Sequence, residues 1–335
     1  MTRRTRRWIG PLLAAGALLL LSACFQDQRQ DWLRPASNIA RDIGSLWNVV
    51  FWAAAAVFFL VEGALLYLLF RFRARKGDPS EPVQTHGNTR VEIAWTIAPA
   101  ILLAVLTVPT VATIFAIAAE PDDPVRVNVL AKQWWWEYTY EDSGVVTANE
   151  LHIPVGRDIF LTLESEDVIH SYWVPKLAGK QDVVPGRTNH LTIRADEVGE
   201  FYGQCLEYCG LSHANMRLRV ISHEPGDFTT WLAGQQQGPQ EPRTDPEREG
   251  ARLFAEGECI GCHTIEGVSE ATVGPNLTHF AARGTFAGSI FDRSDENLAE
   301  WLRDPPGVKP GSKMPNLGLS EDDITALVAY LQSLE

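Results

Sequence analysis

Between Cys205 and Met216 the chain reads Cys-Leu-Glu-Tyr-Cys-Gly-Leu-Ser-His-Ala-Asn-Met, which places two thiols, an imidazole and a thioether within twelve residues. Soft sulfur together with imidazole suits copper. Cysteines with three residues between them, Cys205 and Cys209, can bridge a pair of metal ions, and such a pair needs a second imidazole, for which His170 is the natural candidate. Zinc would accept the Cys and His ligands but has no use for the methionine. A Cys205–Cys209 disulfide is the alternative in an oxidising compartment. Farther on, Cys259-Ile260-Gly261-Cys262-His263 is a Cys-x-x-Cys-His run. Two thiols so spaced can add to heme vinyl groups while the adjacent imidazole reaches the iron, as in c-type heme attachment. A bare Cys-x-x-Cys is more often a redox pair or half a zinc site, but no second Cys pair lies nearby to complete zinc. Met314, in Lys313-Met314-Pro315, is the expected second axial ligand because it is the only methionine of this segment and a thioether raises the heme potential. His279 is the competing ligand.

These residues need elements to hold them, and the hydrophobic pattern supplies three kinds. Stretches 46–70 and 93–119 are each long and apolar enough to cross about 30 Å of hydrocarbon as a helix. Together they predict a transmembrane hairpin within 24–119. Arg71, Arg73, Arg75, Lys76 and Arg90 crowd the connecting loop, and an excess of Lys and Arg in a short loop places it in the cytoplasm with both termini outside. Ahead of the hairpin, four arginines, an apolar run from Trp8 to Leu21 of about 14 residues, and Leu21-Ser22-Ala23-Cys24 have the form of a secretory signal over 1–23. That ending resembles a bacterial lipoprotein signal, which implies lipidation at Cys24. Glu62 falls inside the first apolar stretch, and a neutral, hydrogen-bonded carboxyl is the expected state there.

From 120 to 225 the texture changes to short β-rich runs such as Val125 to Leu130, Asp158 to Leu163 and His190 to Ile193, separated by Gly and Pro-Gly turns; this predicts a small all-β Greek-key barrel or sandwich. Residues 226–248 are expected to be a linker, their later part being polar and rich in Gly and Pro. The region 249–335 is helical in pattern, and its last helix is expected from Glu321 to Leu334, with Ser320 as N-cap and Ile324, Leu327, Val328 and Leu331 on one face.

The tail resembles a small monoheme cytochrome c of the all-α class I kind, with the attachment motif near its start, Gly274-Pro275-Asn276-Leu277 after it, the Met-Pro loop and a terminal helix. That resemblance implies Pro275 beside the proximal His263 and a role in one-electron transfer. Residues 40–225 resemble subunit II of heme-copper cytochrome c oxidase, through Glu92 to Pro99, Gln133-Trp134-Trp135-Trp136, Ser165 to Ser171, Val184 to Arg187 and the Cys205 to Met216 segment. The resemblance implies a cupredoxin-like fold and a dinuclear copper A centre with Cys205 and Cys209 bridging, His170 and His213 terminal, Met216 weakly axial, and Glu207 ligating through its carbonyl. It further implies a magnesium ion held by the Glu207 carboxylate at the junction with subunit I, electron entry at Trp134, and a proton-path entrance at Glu92. Partners so implied are subunits I and III and an external donor, a cytochrome c or cytochrome bc complex, at the outer face of a bacterial plasma membrane. The fused form implies electrons passing from heme c to copper A, with oxygen reduction and proton translocation in another subunit. A free-standing membrane-anchored shuttle or redox sensor is the rival reading, and it has no need of Glu92 or Glu207. A quinol oxidase subunit II, which lacks copper A, fits the ligand set less well.

Charge agrees with an extramembrane electron carrier. Residues 1–119 hold 12 Lys and Arg against 7 Asp and Glu, whereas 120–335 hold 17 against 35. An acidic exterior repels nucleic acid, for which no motif is present, and draws basic partners in a salt-dependent way.

Overall fold

The computed structural model describes residues 28–73 and 86–335, together with residues 16 and 84. The expected signal segment apart from residue 16, Cys24, and the loop residues Arg75 and Lys76 lie outside the described residues. Two helices, α1 (Asn38–Arg71) and α2 (Thr89–Ala118), run longer than the apolar stretches that predict them. Both extensions follow from capping. Ser37 accepts from the Ala40 amide, and Asn88 accepts from the amides of Arg90 and Val91, so each helix begins several residues before its apolar run, at a side chain that satisfies free N–H groups. With mean hydropathy of 2.3 and 2.4 and their apolar side chains exposed, both are long and apolar enough to cross a membrane.

Ten strands follow as two five-stranded sheets, β1 (Val125–Lys132), β2 (Trp135–Tyr140), β3 (Val146–Ala148), β4 (Glu150–Pro154), β5 (Ile159–Ser165), β6 (His170–Trp173), β7 (Gln181–Val183), β8 (Asn189–Ile193), β9 (Gly199–Cys205) and β10 (Arg217–His223). The sheet orders are β3-β2-β1-β5-β8 and β4-β10-β9-β6-β7. β1 pairs parallel with β5 and β10 parallel with β4, the remaining pairings being antiparallel. Strand alternation explains the sandwich. On β2, Trp136, Tyr138 and Tyr140 are buried while their neighbours are half-exposed, and on β1 Val127, Val129 and Ala131 point the same way. These side chains meet Leu151, Ile153, Ile159, Leu161 and Tyr172 in one core.

Residues 226–235 of the expected linker are helical. Helix α3 (Pro225–Gln235) lays Phe228, Trp231 and Leu232 against the β-domain core. The spacing i, i+3, i+4 makes one apolar stripe, and the Trp231 ring stacks on His152 at 4.1 Å. The second domain comprises α4 (Asp245–Glu256), α5 (Asp295–Arg303) and α6 (Glu321–Ser333) around Phe254, Leu298, Leu302, Leu327 and Leu331. Capping boxes open α4 at Thr244 with Glu247 and α6 at Ser320 with Asp323. Helices α4 and α6 cross closely at Gly250, where a Cβ would strike the Ala326 carbonyl.

Candidate metal centre and adjoining cavity

The candidate ligand residues of the β-domain stand where two neighbouring strands and the loop after them converge. β6 begins at His170, and β9 ends at Cys205, with Tyr172 of β6 paired to Cys205. The chain then turns through Glu207 and Cys209, makes a single 3-10 turn at His213–Asn215, and enters β10 just after Met216. The distances close a compact set. Cys205 Sγ lies 3.8 Å from Cys209 Sγ, 3.8 Å from His170 Nδ1 and 3.2 Å from the Glu207 carbonyl. Cys209 Sγ lies 3.6 Å from His213 Nδ1 and 3.9 Å from Met216 Sδ. The ligand atoms of His170, Cys205 and Cys209 all fall within 4.8 Å of one another. His170, Cys205, Cys209 and Met216 are buried and His213 is half-buried.

The chemistry of the donor set fits copper. Sulfur atoms 3.8 Å apart are far beyond a disulfide bond of about 2.05 Å, and a buried thioether beside them is a ligand that zinc does not use. The two thiols perturb each other: the neighbouring Cys209 lowers the Cys205 pKa, while Cys209 itself is pushed up by that neighbour and by burial. Metal binding requires both as thiolates. Asp167, within the Ser165 to Ser171 motif, fixes the imidazole opposite. Its Oδ1 is 2.9 Å from His170 Nε2 and its Oδ2 accepts from the Gln133 amide at 2.7 Å. Burial pushes the Asp167 carboxyl up, but the hydrogen bond from His170 and two from backbone amides win and hold it below its ordinary range. The carboxylate therefore selects the Nε2–H tautomer, leaving Nδ1 free to ligate.

In the helical domain, Cys259, Cys262, His263 and Met314 all line one cavity of about 250 Å³. Phe280, Leu298 and Leu331 supply apolar wall. His263 Nδ1 is 2.9 Å from the Pro275 carbonyl, so Nδ1–H donates and Nε2 is left as the unprotonated nitrogen of a neutral ring; burial also lowers the His263 pKa. His279 is not on the cavity wall and bonds the Glu335 carbonyl through Nδ1. Arg283 does line the cavity, buried, with Nε lacking a partner. An apolar hole lined by an imidazole, a thioether and one unsatisfied guanidinium N–H fits a heme with carboxylate groups.

The cavity is not closed by the helical domain alone. Lys132, Gln133, Trp134 and Trp135 of the β-domain form part of its wall. Trp134 is 7% exposed and its Nε1 donates to the Cys209 carbonyl at 2.9 Å, joined by Gln133 Nε2 at 2.7 Å. Trp134 thus touches both sites. Glu92 stands apart from them, exposed in the first turn of α2, and the half-buried Glu207 carboxylate accepts from the Tyr208 amide. Sequence reasoning did not single out Asp167, Arg283, Glu150 or Lys309. Only Asp167 carries a usable signal, a carboxylate three residues before a candidate ligand histidine.

Three family models match the chain: cytochrome c oxidase subunit II, transmembrane domain, over residues 27–113; cytochrome c oxidase subunit II, periplasmic domain, over 143–223; and cytochrome c over 247–335. A relative from Alkalihalophilus pseudofirmus named cytochrome c oxidase subunit 2 is 39% identical over 324 residues, covering 95% of this chain and 94% of its own. One of the same name from Bacillus subtilis is 32% identical over 358 residues, covering 98% of each. Among solved structures, the periplasmic domain of subunit II of cytochrome oxidase from Bradyrhizobium japonicum is 30% identical over 36% of this chain and 96% of its own, at a TM-score of 0.34. The chain belongs to the cytochrome c oxidase subunit 2 family and carries a cytochrome c domain at its C-terminal end.

Proposed function

We propose that this chain is the electron-input subunit of a bacterial heme-copper oxidase, taking electrons from an external donor at its heme domain and delivering them from its copper domain to a catalytic subunit I. The observation that carries the reading is Trp134, which walls the heme cavity and hydrogen-bonds the Cys209 carbonyl at 2.9 Å. Cys259 and Cys262 would attach heme c, with His263 and Met314 holding its iron; Cys205, Cys209, His170, His213, Met216 and the Glu207 carbonyl would hold the dinuclear copper A. Bound there, the two groups supply one-electron redox chemistry. The residues around them set its conditions: the apolar wall excludes water, Asp167 orients His170, and Pro275 orients His263.

The same reading gives the Glu207 carboxylate a magnesium ion at the subunit I junction and Glu92 the entrance of a proton path. It puts both soluble domains at the outer face of the plasma membrane, with subunit III in the assembly and Cys24 lipidated. Reduction of oxygen to water and proton translocation belong to the assembled enzyme. Absorption and paramagnetic resonance spectra of the purified full chain test the core of it. One heme c and one mixed-valence copper pair per chain are expected, and Trp134→Leu should slow heme-to-copper electron transfer about 100-fold with both spectra unchanged. A chain that bound no copper and carried a Cys205–Cys209 disulfide would overturn the reading, and one that never co-purified with a heme-bearing subunit would favour a free-standing shuttle.

A further inference from the structure

Where the two soluble domains meet, the polar contacts between them are buried. Lys309, 4% exposed, donates from Nζ to the Trp134 carbonyl at 2.6 Å and to the Ala287 carbonyl at 2.7 Å, one acceptor from each domain. Glu150 of β4, 1% exposed, accepts from Thr285 Oγ1 at 2.6 Å and from the Gly284 amide at 3.0 Å. The segment 284–288 of the heme domain is therefore held by the copper domain at its first two residues, through Glu150. At its other end the backbones bond, since the Arg217 amide donates to the Gly288 carbonyl at 3.0 Å. Ser212 Oγ adds a bond to the Pro310 carbonyl at 2.6 Å.

The close approach is written into the backbone. At Gly311 a Cβ would lie 2.7 Å from Cη2 of Trp134, and φ is +81°, a conformation that side chains other than glycine disfavour. Farther out, Lys313, beside Met314, pairs at 3.2 Å with Asp167, the carboxylate that orients His170. Only residues 236–244 separate α3, packed on the copper domain, from α4 of the heme domain.

We propose that Lys309 and Glu150 are positioning residues, a two-point latch that keeps the heme domain docked on the copper domain with Trp134 fixed between the cavity and Cys209. The proposal rests on the functional reading above and adds that electrons cross a fixed gap within one docked unit, with no swing of a tethered domain between donor and acceptor. Burying these groups is tolerable only because each is satisfied: the Glu150 carboxylate takes one donor on each oxygen, and Lys309 has two carbonyls. Burial pushes the Lys309 amine down to about 7, and an uncharged amine still offers two N–H groups to those two carbonyls, so the contact survives in either protonation state.

Hydrogen exchange of the full chain in detergent, read by mass spectrometry, tests the latch independently of metal content. Combining Lys309→Met with Thr285→Val should raise exchange about tenfold in peptides spanning 130–136 and 284–292 while peptides spanning 159–165 and 324–331 stay protected. Heme-to-copper electron transfer after flash reduction should slow about tenfold with the spectra of both centres unchanged. Unchanged exchange and an unchanged transfer rate would overturn the proposal. If the double variant does not fold, Thr285→Val alone, which keeps side-chain shape and leaves Lys309 in place, must raise exchange at 284–292 by at least about twofold, and its failure to do so counts against the latch equally. A chain with a protected interface and no copper would sink the functional reading and leave the latch standing.

Discussion

The proposed copper ligands stand on adjacent strands and one loop of a sandwich whose sheets are packed by Trp136, Leu151, Ile159 and Tyr172, whereas the proposed heme ligands surround a hole in a small helical domain. In the first region the protein core positions the donors, and the donor atoms already lie within a few ångströms of each other. In the second, the walls from Phe280, Leu298 and Leu331 face a volume of about 250 Å³ that the side chains do not fill. On the proposed reading, the first site is preassembled for a metal and the second takes a prosthetic group as part of its core. Domain size explains the contrast, because a small domain buries too little surface to tolerate a large void.

The largest effect should come from removing heme attachment. In Cys259→Ala/Cys262→Ala the unfilled cavity costs roughly 6 kcal/mol at about 24 cal/mol per Å³, comparable with the whole stability of a domain of this size. Calorimetry of the full chain should then lose the heme-domain transition and keep that of the copper domain. Equal loss of both would show that the sandwich does not stand alone. A smaller effect is expected at the copper site. Asp167→Asn keeps the side-chain shape but weakens the partner of His170 Nε2, and copper affinity should fall about 10- to 100-fold, measured by competition with a chelator, with the copper-free fold unchanged.

The smallest effect is a slope. Burial and the adjacent His223 ring hold His152 down to about 3, against an ordinary value near 6.5. The unfolded chain therefore binds a proton that the folded one refuses, so this contribution to stability is complete above pH 6.5 and is lost as pH falls from there toward 3. His223, also lowered by burial, acts in the same sense, while the raised Glu150 carboxyl opposes it. His152→Phe keeps the stack on Trp231 and should flatten the fall of the copper-domain melting temperature between pH 6.5 and 4. An identical slope in the variant would mean that His152 does not titrate on unfolding.

The candidate ligand residues stood out in the sequence because cysteine and methionine are scarce in this chain, and each sits in a spacing with few chemical meanings. The strands and α6 were legible for another reason: their apolar periods match the burial they adopt. What could not be read is the contact between the domains. Lys309 and Glu150 look like solvated charges until the fold brings Trp134 and Thr285 to them from 175 and 135 positions away. Helix α3 was hidden differently, since its stripe of Phe228, Trp231 and Leu232 is short and runs into the Gly- and Pro-rich stretch that follows.

Ser37 has a consequence for mechanics. It caps α1 and at the same time donates to the Leu177 carbonyl at 2.6 Å, while Arg41, one turn on, pairs with Asp196 at 2.5 Å and the Ala36 amide donates to the Lys176 carbonyl. The helix that enters the bilayer is thereby joined to the copper domain with no free residue between them. It behaves as a mast welded to its deck: a tilt of α1 tips the whole domain, and the height of the copper loops above the lipid is set by the geometry of a single helical turn.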